Sequence, residues 1–77
     1  MRVIDKRDFE IMVKITYKGE VFVIPEEAKY LAIDEDGALY YHKGFPRRRG
    51  REWFSPDYEF IAQVCDFGDW KETLEEV

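Results

Sequence analysis

Asp34-Glu35-Asp36-Gly37 constrains this chain more than any other stretch, because it stands between two apolar runs at the spacing of a tight hairpin. The acidic side chains favour a type I turn, and the glycine can take the left-handed position of a G1 bulge. With 35–37 as the loop, Ile33 lies opposite Leu39 and Leu31 opposite Tyr41, so all four point to one side. Ala32, Tyr40, Tyr30 and His42 share the other face, a more polar set expected to be partly exposed.

The same period of two runs from Phe9 to Tyr17, where Phe9, Ile11, Val13, Ile15 and Tyr17 alternate with Glu10, Met12, Lys14 and Thr16. Lys18-Gly19 supplies a turn, and Val21 to Ile24 returns until Pro25 removes an amide donor. A two-residue loop sets Phe22 and Ile24 on the core face, whereas a three-residue loop sets Val21 and Val23 there. Farther on, Tyr58 to Cys65 is apolar on both alternating sets, which predicts a central strand or one covered by a helix. A short helix is expected at the end, with Asp69 as cap, Glu72 completing a capping box, and Trp70, Leu74 and Val77 on one face. These elements add up to a mainly β, α+β fold: a five-stranded antiparallel sheet, open or curled into a small barrel, with one short C-terminal helix, in a single domain over 1–77.

Charge is divided sharply along the chain. Lys43, Arg47, Arg48, Arg49 and Arg51 give the segment His42 to Glu52 a net charge of +4, and all other residues together carry −9. A cationic segment on an anion-repelling body points to a surface that meets something acidic. The single cysteine excludes an internal disulfide, and one histidine with one cysteine cannot assemble a zinc site unaided, so neither metal nor cofactor is expected. Asp34 to Gly37 lacks the length and distal glutamate of a calcium loop. His42 is expected at the surface and Cys65 in the core; neither has the neighbours of a catalytic group, and no enzyme activity is expected. No apolar run reaches the length of a spanning helix, and Met1 to Asp8 is not followed by a signal-peptide core. The expectation is a protein of a reducing cytoplasm that does not engage a membrane.

Lys29-Tyr30-Leu31-Ala32-Ile33-Asp34-Glu35-Asp36-Gly37 with Leu39-Tyr40, then Pro46, Trp53 and the closing Asp69-Trp70-Lys71-Glu72-Thr73-Leu74-Glu75, resembles small accessory proteins of tailed bacteriophages and prophages. Similar proteins usually carry serine where Thr73 stands and lack a run like Arg47-Arg48-Arg49. The resemblance implies a phage genome, a bacterial cytoplasm and an accessory or host-interaction role, and it implies no catalytic residue.

The leading expectation is therefore a binder that occupies a site on a host protein and blocks it, as counter-defence inhibitors of the anti-CRISPR class do. Lys43, Arg47, Arg48, Arg49 and Arg51 would grip carboxylates, with Phe45 and Trp53 as apolar anchors. One alternative is an acidic nucleic-acid mimic using Glu26, Glu27, Asp34, Glu35, Asp36, Glu59, Glu72, Glu75 and Glu76. Another is single-stranded nucleic-acid binding by the basic loop 43–51. An open sheet edge also leaves pairing with a second copy to be considered.

Overall fold

The computed structural model describes residues 11–77. Its strands are β1 (Met12–Tyr17), β2 (Glu20–Pro25), β3 (Tyr30–Ile33), β4 (Ala38–His42), β5 (Arg47–Arg49), β6 (Glu52–Phe54), β7 (Tyr58–Gln63) and β8 (Glu75–Glu76). The expected mainly β, antiparallel character holds, but the five-stranded sheet and the barrel do not. A four-stranded sheet of order β7-β4-β3-β8 is flanked by two separate two-stranded ribbons, β1-β2 and β5-β6.

The β3-β4 hairpin has the register its turn dictates, Ile33 opposite Leu39 and Leu31 opposite Tyr41. Gly37 sits at φ +87°, and a Cβ there would lie 2.5 Å from the Val64 carbonyl oxygen. Glycine is therefore required twice over, by backbone conformation and by the chain packed against it. In the first hairpin the two-residue turn wins. Lys18 and Gly19 both have positive φ, 50° and 83°, as a type I′ turn demands, and Ile15 pairs with Phe22 and Val13 with Ile24. Phe9 and Glu10, assigned to this strand by their alternation, lie outside the described residues.

The core lies between this ribbon and one face of the sheet. Tyr17 and Ile24 are buried with Leu31, Ile33, Leu39 and Tyr41, and Val13, Ile15 and Phe22 pack against them. Val21 and Val23, on the ribbon's outer face, remain exposed.

The C-terminal helix is replaced by a single 3₁₀ turn, Trp70–Glu72, followed by β8. Asp69 does cap it, accepting from the Lys71 amide at 3.0 Å, but Thr73 stops propagation. Its hydroxyl accepts from the Ile33 N–H at 2.9 Å and lies 2.7 Å from the Trp70 carbonyl oxygen, while its own carbonyl accepts from the Tyr17 hydroxyl at 2.5 Å. So short a helix gains little on its own, and these buried bonds draw the chain out to pair with β3 instead.

Strand β7 is likewise not central: it is the edge of the sheet beyond β4. One of its apolar faces turns Ile61 toward the core, and the other leaves Tyr58 and Phe60 exposed. The expected core position of Cys65 is also corrected, since it lies beyond β7 and is exposed.

Candidate functional site

The basic segment folds as a projecting hairpin rather than a loop. Arg47 pairs with Phe54, Arg48 with Trp53 and Arg49 with Glu52 across a Gly50-Arg51 turn. Three residues a side do not hold such a ribbon in water, so its order comes from the attachments at its base. The Trp53 amide donates to Asp34 Oδ1 at 2.7 Å, the Trp53 indole N–H donates to the Trp70 carbonyl at 3.2 Å, and the two indoles meet edge to face at 6.2 Å. At the tip, the Glu35 amide donates to the Arg51 carbonyl at 3.1 Å. Burial pushes the Asp34 carboxyl above its ordinary value, opposed by the bond from Trp53.

His42 anchors the same leg just past the end of β6, through Ser55, and is fully buried, not at the surface. The Ser55 hydroxyl donates to the Asp57 carbonyl at 3.2 Å, which leaves its oxygen to accept from His42 Nδ1 at 2.7 Å. This fixes the neutral Nδ1–H tautomer, with Nε2 buried and without a partner among the described residues. Burial lowers the His42 pKa to about 4. The face of the sheet expected to be partly exposed is thus covered over Ala32 and His42 and open only toward Tyr30 and Tyr40.

The residues singled out from the sequence separate into three groups. Arg47, Arg48, Arg49 and Arg51 are exposed on the hairpin. Among the described residues Arg47 and Arg48 make no ion pair, while Arg49 meets Glu52 at 3.3 Å and Arg51 meets Glu35 at 3.8 Å. Such exposed pairs contribute little and give way readily to a better acceptor. Lys43 is not part of the hairpin; it pairs with Glu27 at 2.9 Å. Of the aromatic pair, Phe45 is 65% exposed against the edge of Tyr30, whereas Trp53 is buried in the base.

A line of rings running from the hairpin to the sheet edge was not anticipated from the sequence. The Arg49 guanidinium lies 4.0 Å from the Phe54 ring centroid, Phe54 meets Tyr58 at 6.4 Å, Tyr58 meets Tyr40 at 5.4 Å, and Tyr40 meets Phe60 at 5.7 Å. Tyr58 is 46% and Phe60 56% exposed. The period-two placement of Tyr58 and Phe60 carries the signal for it, provided β7 is an edge strand. Beside the hairpin tip, an open cleft of about 650 Å³ is lined by Asp34, Glu35, Asp36, Arg49, Arg51 and Glu52, charges of both signs. Among the described residues no group of three histidine, cysteine, aspartate or glutamate side chains is placed to hold a metal ion.

No protein-family model matches this chain, and no curated protein or solved structure matches it significantly. No helix among the described residues is long and apolar enough to cross a membrane.

Proposed function

We propose that this chain is a small phage-type interaction protein that docks on an acidic site of a bacterial host protein and blocks it by occupying that site. The observation that carries the reading is the base-anchored hairpin holding Arg47 and Arg48 exposed and without ion pairs among the described residues, beside the exposed rings of Phe45, Tyr58 and Phe60. Arginine and aromatic side chains together are the composition of protein interfaces, and guanidinium forks grip carboxylates bidentately. The phage origin rests on the resemblance of residues 29–75 to phage accessory proteins, and the counter-defence role on the class of inhibitors that are likewise small, acidic and free of catalytic groups. The test is a triple variant, Arg47→Glu, Arg48→Glu and Arg49→Glu. It should keep the wild-type circular dichroism and melting temperature yet lose a stoichiometric host protein in co-purification. Retention of that protein by a folded variant rejects the reading.

The ring line favours one second reading, stacking of single-stranded nucleic acid. Four hairpin guanidiniums would give a salt slope no steeper than about −2.8, at about −0.7 per phosphate on single strands. The net charge of −5 opposes it further. A gel shift with an oligothymidylate at low salt decides between the two.

A further inference from the structure

Among the described residues the two edges of the central sheet are unlike each other. On one side β8 contributes two residues, both glutamate, which blunts that edge by shortness and charge. On the other, β7 runs for six residues with a single charge, Glu59, whose carboxylate accepts from the Tyr41 hydroxyl at 2.5 Å, and with no lysine or proline. The Lys43 amide donates to the Asp57 carbonyl, so by antiparallel alternation Tyr41 and Glu59 exchange the next bonds. The N–H and C=O groups of Tyr58 and Phe60 therefore point outward, away from β4. Beyond them the register shifts, with Ile61 left out of the pairing, so Tyr58 to Phe60 is the straight part of the edge.

We infer that the open edge of β7 takes up an extended acidic segment of a protein partner as an added strand, with its carboxylates gripped by Arg47 and Arg49. This rests on the docking reading above and names the partner's form. Main-chain bonds to Tyr58 and Phe60 supply affinity without regard to sequence, and the ring line on the same side selects apolar residues at alternate positions. Arg47 stands directly opposite Phe54 and so shares its face with Arg49, which lies over the Phe54 ring. Phe54 in turn touches Tyr58, so the cations flank the Tyr58 end of the strand and fix where the acidic end of the segment lies. Nucleic acid offers no amide ladder to match this edge. A second copy fits poorly, because a twofold antiparallel pairing must centre on one residue. Centred on Tyr58 it sets Phe60 opposite Pro56, which has no amide to donate; centred on Glu59 it sets two carboxylates opposite each other; and centred on Phe60 it crosses the register shift.

The test is to pan a display library of random peptides of about twelve residues on the full chain and to measure the selected peptides by calorimetry. Winners should bind one to one and carry apolar residues at alternate positions with acids clustered at one end. Methylating their backbone nitrogens at one alternating set should weaken binding about ten-fold or more, while the other set is tolerated. The Arg47→Glu, Arg49→Glu double variant should reduce affinity similarly. Phe60→Pro, which removes the ring together with an outward N–H, should abolish binding with the fold retained, whereas Phe60→Ala, which removes the ring alone, should only weaken it. Equal tolerance of methylation at every position, winners without acids, displacement of the peptide by oligothymidylate, or sedimentation of the free chain as a dimer through β7 each overturns the inference. If no peptide binds while the triple arginine variant still loses its host protein, the strand-addition inference fails and the docking reading stands. If peptides bind as described and that variant keeps its host protein, the docking reading alone fails.

Discussion

Acidification should unfasten this molecule at a single imidazole. His42 has no solvent exposure, its Nδ1–H is committed to Ser55, and protonation would place a second N–H and a full charge at Nε2, where the described residues offer no acceptor. Its pKa in the folded chain is about 4 against an ordinary 6.5. Because the folded pKa is depressed, the unfolded chain takes up a proton first as pH falls. His42's contribution is therefore complete above about pH 6.5, declines between there and pH 4, and is flat below. At about 1.4 kcal/mol per pKa unit the loss approaches about 3 kcal/mol. For a domain of this size that is a fall in melting temperature on the order of 10–20 °C. Urea unfolding of the wild type and of His42→Asn across pH 7 to 4 measures it. The difference between the two curves should change by about 3 kcal/mol, with carboxylate titration common to both cancelling. Parallel curves, or an imidazole that titrates near 6.5 by NMR, would refute the reasoning.

Other positions give equally direct outcomes. Gly37→Ala combines a left-handed backbone with a Cβ against the Val64 carbonyl and should cost about 2 kcal/mol or more in urea unfolding. Thr73→Val strands the buried Ile33 amide and should cost about 1–3 kcal/mol, whereas Thr73→Ser, which keeps the hydroxyl, should cost about 1 kcal/mol or less. Burial pushes the Tyr17 hydroxyl up to about 12. Its folded pKa is raised, so its contribution is complete below about pH 10 and is lost as pH rises toward 12, and phenolate absorbance should show Tyr17 titrating late, together with unfolding.

Both long hairpins are legible in the sequence because their signals are local: a turn sequence that admits few backbone conformations, set between residues alternating with a period of two. Strand order is not, since Tyr58 to Cys65 is apolar on both faces and only long-range pairing decides whether such a strand is central or at an edge. At the C-terminus the local signal is good for one turn. Asp69 caps it, but the path of the chain beyond is decided by Thr73 reaching Ile33 forty positions away. The arginine run suggests a loop because a block of like charges reads as a solvated segment, while Gly50-Arg51 between it and Glu52-Trp53-Phe54 holds the hairpin signal. The burial of Trp53 and of His42 escapes the sequence for one shared reason: both are covered by segments distant along the chain, Trp70 and Ser55.

The bonds converging on Thr73 also set a timetable for synthesis. Tyr17 and Ile33 both wait on it, across 56 and 40 residues, so the nascent chain can shape its hairpins early but cannot close its interior until position 73 has cleared the ribosome. Until then β3 has no neighbour on one side, and a ribosome stalled a few codons short would display a half-built sheet to whatever chaperone or protease is near.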